Sequence, residues 1–345
     1  MTARAFITGV SDVALTAAER AFVREARPWG LILFKRNIET PAQVAALVAS
    51  FREAVGVEAP VLVDQEGGRV QRIGPPHWPS YPAAAVYGTL YEREQTTGLA
   101  AARLGARLIA HDLERLGIDI DCLPVADLPV PDADPVIGDR AYGDTPLKVA
   151  ALARAAAEGL MAGGVLPVLK HLPGHGRAAA DSHLKLPVVD ASRAELDAAD
   201  FATFRLLAGL PLGMTAHVVF CAYDPVNPAT TSVTMVQDVI RGSIGFKGLL
   251  MSDDVSMGAL SGSLAERTCA AHAAGCDIVL HCNGELTEME AVASAAPVLA
   301  GEAAARAAAA LSARTAPDVI DADEARRTFA DMLTQARVAD ARRAS

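Results

Sequence analysis

The chain has 345 residues, 51% hydrophobic but only 5% aromatic, and a formal net charge of −10. An acidic chain repels nucleic acid and anionic membrane surfaces, so neither is expected as a partner. With few aromatics the core must be built from Ala, Val, Leu and Ile, which suits a helix-rich α/β protein better than a sandwich.

Eight short apolar runs alternate with Ala-rich helical stretches. They are AFITGV from Ala5, GLILF from Gly30, PVLVDQE from Pro60, IDIDCLPVADL from Ile118, GVLPVLKH from Gly164, LGMTAHVVF from Leu212, GLLMSDD from Gly248 and CDIVLHC from Cys276. None alternates cleanly, as expected of parallel strands buried on both faces. Helix starts are marked by Thr16 before AAERAFVREA and by the pairs Thr40-Pro41 and Thr145-Pro146. Each offers a capping hydroxyl, and the pairs add a proline suited to the first helical position. Gly56, Gly117, Gly163 and Gly209 supply helix ends.

This alternation predicts an α/β fold of the (β/α)8 TIM-barrel type. A doubly wound sheet is the alternative, but no G-x-G-x-x-G turn follows the first strand. No linker breaks the chain, so one domain over 1–345 is expected, with 290–345 as peripheral C-terminal helices. The five cysteines (Cys122, Cys221, Cys269, Cys276, Cys282) include no C-x-x-C pair and read as small core residues of a reducing compartment. The first ten residues lack the apolar length of a signal peptide, and no later stretch resembles a membrane span. A soluble, cytoplasmic monomer is expected.

Polar residues cluster where the apolar runs end: Asp64-Gln65-Glu66, Asp127, Lys170-His171, His217, Asp253-Asp254 and Asn283. Active-site groups of a barrel sit at the C-terminal ends of its strands. The densest group runs from Lys170 through His171 and His175 to Asp181 and His183. A polar surface loop or a metal site is possible there, but no H-E-x-x-H accompanies it. The alternative is acid–base chemistry, in which Asp181 orients His183 and supports its charged form. No metal or cofactor is expected.

Asp253-Asp254 closes the seventh apolar run, and strand alternation allows only one of the two to face the barrel mouth. Either carboxylate is a structural cap or a nucleophile for an anomeric carbon. In DQEGGRVQR two acids and two arginines flank a Gly-Gly bend, a composition suited to gripping hydroxyl and amide groups, or else a solvated ion-pair loop. IGDRAY and AHV carry weaker signals.

Taken together, VDQEGGRVQR, IGDRAY, KHLPGHG with ADSH, TAHV and MSDDVSMGA resemble the motifs of glycoside hydrolase family 3, in its single-domain bacterial β-N-acetylhexosaminidase branch. The resemblance implies a retaining enzyme with Asp253, rather than Asp254, as nucleophile. It implies His183 as general acid/base, Asp181 as its orienting partner, and Asp64, Arg72, Arg140, Lys170 and His171 as sugar-binding residues. The implied substrate is N-acetylglucosamine β-1,4-linked in peptidoglycan fragments (anhydro-muropeptides) during wall recycling. Leu172, where the family usually has Phe, and the C-terminal helical extension are unusual. The usual retaining template has two carboxyl groups about 5–5.5 Å apart, whereas here a histidine replaces the acid. A family 3 β-glucosidase or glycoside phosphorylase, or a Schiff-base aldolase built on Lys170, are the rival enzymes.

Overall fold

The computed structural model describes residues 3–131, 133–178 and 180–343, with the side chains beyond 334 left aside. Eight strands close a parallel barrel: β1 (Arg4–Thr8), β2 (Pro28–Leu33), β3 (Val61–Val63), β4 (Ile120–Asp121), β5 (Leu166–Leu172), β6 (Leu212–Thr215), β7 (Leu249–Asp254) and β8 (Ile278–His281). Each overlaps one of the eight apolar runs, with β1 and β2 starting before theirs and β5 ending one residue after, and β1 pairs with β8 to close the ring. The fold is the expected (β/α)8 barrel.

The layers follow from side-chain alternation. Ile7, Leu62, Ile120, Leu166, Leu212 and Ile278 fill the barrel interior. Phe6 and Val279, or Val61, Val63 and Leu250, face outward against the helices. Because both faces are buried, the strands read as apolar runs up to the polar residues at their C-terminal ends.

The connections are α1 (Ala17–Ala26), α2 (Pro41–Val55), α3 (Ala84–Arg93), α4 (Gln95–Glu114), α5 (Pro146–Ala162), α6 (Arg193–Ala198) and α7 (Asp200–Leu207). A π-helical segment over Thr234–Ser243 joins β6 to β7, and α8 (Leu264–Ala274) and α9 (Leu286–Ala295) follow β7 and β8. Thr16 caps α1 with a reciprocal bond to Glu19, and Thr40 caps α2. Thr145 precedes α5 in the same extended conformation, but its side chain makes no capping bond.

Beyond the eighth barrel helix, α10 (Gly301–Ser312) crosses the N-terminal end of the barrel, where Ala307 and Ala310 join the interior cluster. Arg306 is paired with the buried Asp277 at the foot of β8 (2.8 Å). The last helix, α11 (Ala322–Arg343), packs along α4. Its Phe329 meets Tyr81 and Tyr87, and its Arg326 binds Asp112 (2.6 Å). Cys122, Cys276 and Cys282 are buried as expected of core thiols, but Cys221 is half-buried and Cys269 exposed; all five are unpaired. No described helix is long and apolar enough to cross a membrane.

Candidate active site

A cleft of about 460 Å³ opens at the C-terminal ends of the strands. All eight site residues expected from the sequence (Asp64, Arg72, Arg140, Lys170, His171, Asp181, His183 and Asp253) line it. They come from the ends of β5 and β7 and from the connections after β3, β4 and β5, so only closure of the barrel brings them together.

The β3 loop folds back as a small antiparallel hairpin, Gln65–Gly67 against Val70–Gln71. Gly67 and Gly68 turn it with φ of 90° and 59°, and a Cβ on Gly67 would lie 2.3 Å from the Pro82 carbonyl oxygen. Only glycine satisfies both demands. The hairpin aims Asp64 and Glu66 at Lys170, which is itself buried at the end of β5. The result is a ladder of alternating charge. Arg72 binds Asp64 (2.8 Å), Asp64 binds Lys170 (2.9 Å), Lys170 binds Glu66 (2.6 Å), and Arg140 grips Glu66 through two bonds of 2.8 Å.

Burial alone would raise both carboxyl pKa values. Lys170 and Arg72 outweigh it and hold Asp64 well below the usual carboxylate range, while Lys170 and Arg140 pull Glu66 down to about 2. Burial likewise opposes the Lys170 charge, but Asp64 and Glu66 overcome it and push the ammonium pKa up. A Schiff-base lysine needs the opposite shift, toward a neutral amine. The aldolase alternative therefore fails on this geometry. Below the ladder, burial pushes the Asp121 carboxyl pKa well up, and its Oδ1 accepts the Gln65 N–H (2.9 Å).

A second set surrounds Asp127. Its carboxylate accepts His171 Nδ1 (2.7 Å) and the His175 backbone N–H (2.6 Å). This makes Nδ1 the donor and turns Nε2 of His171 outward. Burial lowers the His175 pKa to about 4, so that ring is neutral, and its Nε2 meets the Ser182 hydroxyl (2.9 Å). Burial also lowers the His217 pKa, and its Nε2 donates to the Asp254 carbonyl (2.9 Å).

The two aspartates of β7 both line the cleft, against the expectation that alternation admits only one. The β7–β8 register shifts between Met251 and Asp254, which breaks the alternation at the strand end. Their duties differ. The Asp254 carboxylate is taken up by Ser256 N–H (3.0 Å), Ser256 Oγ (2.6 Å) and Cys282 N–H (3.2 Å). Among the described residues, Asp253 accepts only the N–H of its neighbour (2.8 Å). Burial would raise its pKa, but His171 and His217 facing it bring it below the ordinary value. It is an ionised carboxylate with lone pairs to spare.

On the β5 loop, Asp181 accepts His183 Nδ1 (2.7 Å) and the His183 backbone N–H (2.9 Å). This leaves Nε2 of His183 free to exchange a proton. The sequence places Glu66, Asp127 and His175 among the strand-end polar groups but assigns none of them an individual role. Glu66 had a signal: two residues from Asp64 on an extended hairpin, it shares that residue's face. The rim adds Phe34, whose ring lies under both Arg36 (5.0 Å) and Arg72 (5.1 Å). Leu172 points away from the cleft into the core between barrel and helices.

A closed (β/α)8 barrel with an ionised carboxylate and a histidine–aspartate pair on one polar cleft has the apparatus of a glycosidase. Comparison with known proteins agrees. The chain belongs to glycosyl hydrolase family 3, matching its N-terminal domain over residues 8–312, and is a glycoside hydrolase. It is 40% identical to a protein named Beta-hexosaminidase from Alkalilimnicola ehrlichii, over 80% of this chain and 79% of that one. The crystal structure of NagZ from Neisseria gonorrhoeae in complex with N-trifluoroacetyl-D-glucosamine is similar at 31% identity and a TM-score of 0.84, covering 97% of this chain and 98% of that one. A family 3 beta-N-acetylglucosaminidase from Paenibacillus has a TM-score of 0.84 and 28% identity, and this chain covers 66% of its length.

Proposed function

We propose that the chain is a retaining exo-β-N-acetylglucosaminidase that removes terminal β-1,4-linked N-acetylglucosamine from peptidoglycan fragments. The observation that carries the mechanism is the presence of two groups on one cleft: Asp253, ionised and sparingly bonded, and His183, held through Nδ1 by Asp181. Support for the sugar comes from the relatives named as hexosaminidases and from the N-acylglucosamine bound in the Neisseria gonorrhoeae protein.

In this reading His183, as imidazolium, protonates the glycosidic oxygen while the Asp253 carboxylate attacks the anomeric carbon and the leaving group departs. Neutral His183 then takes a proton from water, which attacks the glycosyl ester and releases Asp253. Asp64, Arg72, Arg140, Lys170 and His171 hold hydroxyls and the acetamido group, turning binding energy into alignment. No metal or cofactor takes part. We read residues 1–345 as one catalytic domain, acting as a cytoplasmic monomer; the five unpaired cysteines support a reducing compartment.

The test is a screen of aryl β-glycosides with and without phosphate, followed by Asp253→Asn. Phosphate-independent release of free N-acetylglucosamine is expected, with a glycosyl-enzyme trapped by a slow fluorosugar in the wild type and none in the variant. Sugar 1-phosphate as product would make it a phosphorylase, and preference for glucosides a β-glucosidase. A wild-type rate in Asp253→Asn would end the nucleophile assignment.

A further inference from the structure

The end of the β5 loop that carries Asp181 and His183 is seated on the loop that follows Asp253. The backbone N–H of Gly258 donates to the His183 carbonyl (3.2 Å), and that of Ala259 to the Ser182 carbonyl (3.1 Å). From the barrel side, buried His175 meets the buried Ser182 hydroxyl at 2.9 Å. Ser182, between the two members of the pair, is thus fastened through both its carbonyl and its side chain. An Asp134 N–H to Ala178 carbonyl bond (2.8 Å) holds only the earlier half of the loop.

The close approach depends on the absence of a side chain at 258. A Cβ there would lie 2.9 Å from both the His183 and the Leu184 carbonyl oxygens. Both are backbone atoms and cannot rotate aside. Gly258 does not occupy the left-handed region, so space, not conformational freedom, excludes a side chain.

The His183 side chain is 64% exposed and, among the described residues, bound only to Asp181, which rides on the same loop. Asp181 can therefore orient the imidazole but cannot locate it in the cleft. Location has to come from another element, since proton transfer demands heavy-atom reach of about 2.6–3.2 Å. The geometry points to the loop after Asp253 as that element: it is the seat that sets the distance between His183 and Asp253, with Gly258 and Ser182 as positioning residues. One segment then carries the carboxylate and also places its proton-transfer partner. This inference rests on the reading of His183 as the acid/base group.

The experiment is a leaving-group series of aryl N-acetylglucosaminides, from dinitrophenyl to phenyl, run on Gly258→Ala, Ser182→Ala and His183→Ala, with thermal unfolding measured alongside. A phenoxide needs a proton to leave and a dinitrophenoxide does not, and general acid–base help is worth about 10²–10⁴-fold. Gly258→Ala and Ser182→Ala are expected to lose roughly tenfold or more on the phenyl substrate beyond their loss on the dinitrophenyl one, at similar Tm. Equal losses on both substrates, with the split still present in His183→Ala, overturn the seat and leave the acid assignment standing. No split in His183→Ala overturns the acid assignment first, and the seat with it. Should Gly258→Ala fail to fold, Ser182→Ala, which deletes one hydroxyl and adds nothing, decides alone.

Discussion

Asp127 holds His171 through Nδ1 at 2.7 Å and, with its other oxygen, the His175 backbone N–H at 2.6 Å. One buried carboxylate in the connection after β4 therefore fixes the start of the loop after β5. Asp127→Asn keeps the shape but removes the charge from both bonds. Hydrogen bonds to charged groups are worth about 1.5–3 kcal/mol, so a loss of about 2 kcal/mol is expected in urea unfolding. Substrate binding should weaken as well, read as a higher KM, because the His171 ring loses its fixed orientation.

Glu66 stands between two cations, buried Lys170 at 2.6 Å and half-buried Arg140 at 2.8 Å. Glu66→Gln leaves Arg140 without its carboxylate and Lys170 with Asp64 alone. Breaking a buried pair from one side typically costs about 3–5 kcal/mol, and a loss toward the lower end is expected because Asp64 stays. The pH dependence has a definite sign. The Glu66 pKa is depressed from 4.5 to about 2, so its stabilisation is present above 4.5 and is lost as pH falls through about 2. Unfolding free energies between these limits should fall less steeply in Glu66→Gln than in the wild type. Parallel slopes would show that the charge ladder is not what titrates.

Lys170 is held as an ammonium by Asp64 and Glu66. Borohydride reduction in the presence of aldehydes or keto acids should leave it unmodified at neutral pH, as read by peptide mass spectrometry. Labelling at Lys170 would reopen the carbonyl chemistry that the ladder argues against.

Arg326 of α11 binds Asp112 at 2.6 Å and the Tyr81 hydroxyl at 3.1 Å. The Tyr81 carbonyl in turn takes the Gly68 N–H at 2.8 Å, at the bend of the hairpin after β3. Removing the guanidinium leaves Asp112 with Tyr81 alone. Arg326→Ala is expected to cost about 1–2 kcal/mol by denaturation, a figure reduced for its partial exposure. An unchanged midpoint would mean that Phe329 alone holds the helix in place.

The sequence exposed the strand ends and their chemistry, because a buried parallel strand shows as an apolar run and its first polar residue marks the barrel mouth. Lys170, His171, Asp64 and Asp253 were visible for that reason. Glu66 and Asp127 stood in the same strings, yet their partners lie 74 and 44 residues away. No local pattern announces pairings over such separations. The two aspartates of β7 show the limit of periodicity: alternation predicts opposite faces, and a register shift between Met251 and Asp254 brings both to the cleft.

By itself, the sequence determined the eight strands, the capped helix starts at Thr16 and Thr40, and which residue types meet at the strand ends, since all of these depend on spacing within a few residues. Only the tertiary structure decided what each charged group does. Closing the barrel sets Lys170 between two carboxylates, leaves Asp253 ionised and free where Asp254 is engaged, and seats His183 on Gly258. The physical reason is that a charge in a buried cleft takes its state from its nearest neighbours, and here those neighbours come from distant parts of the chain.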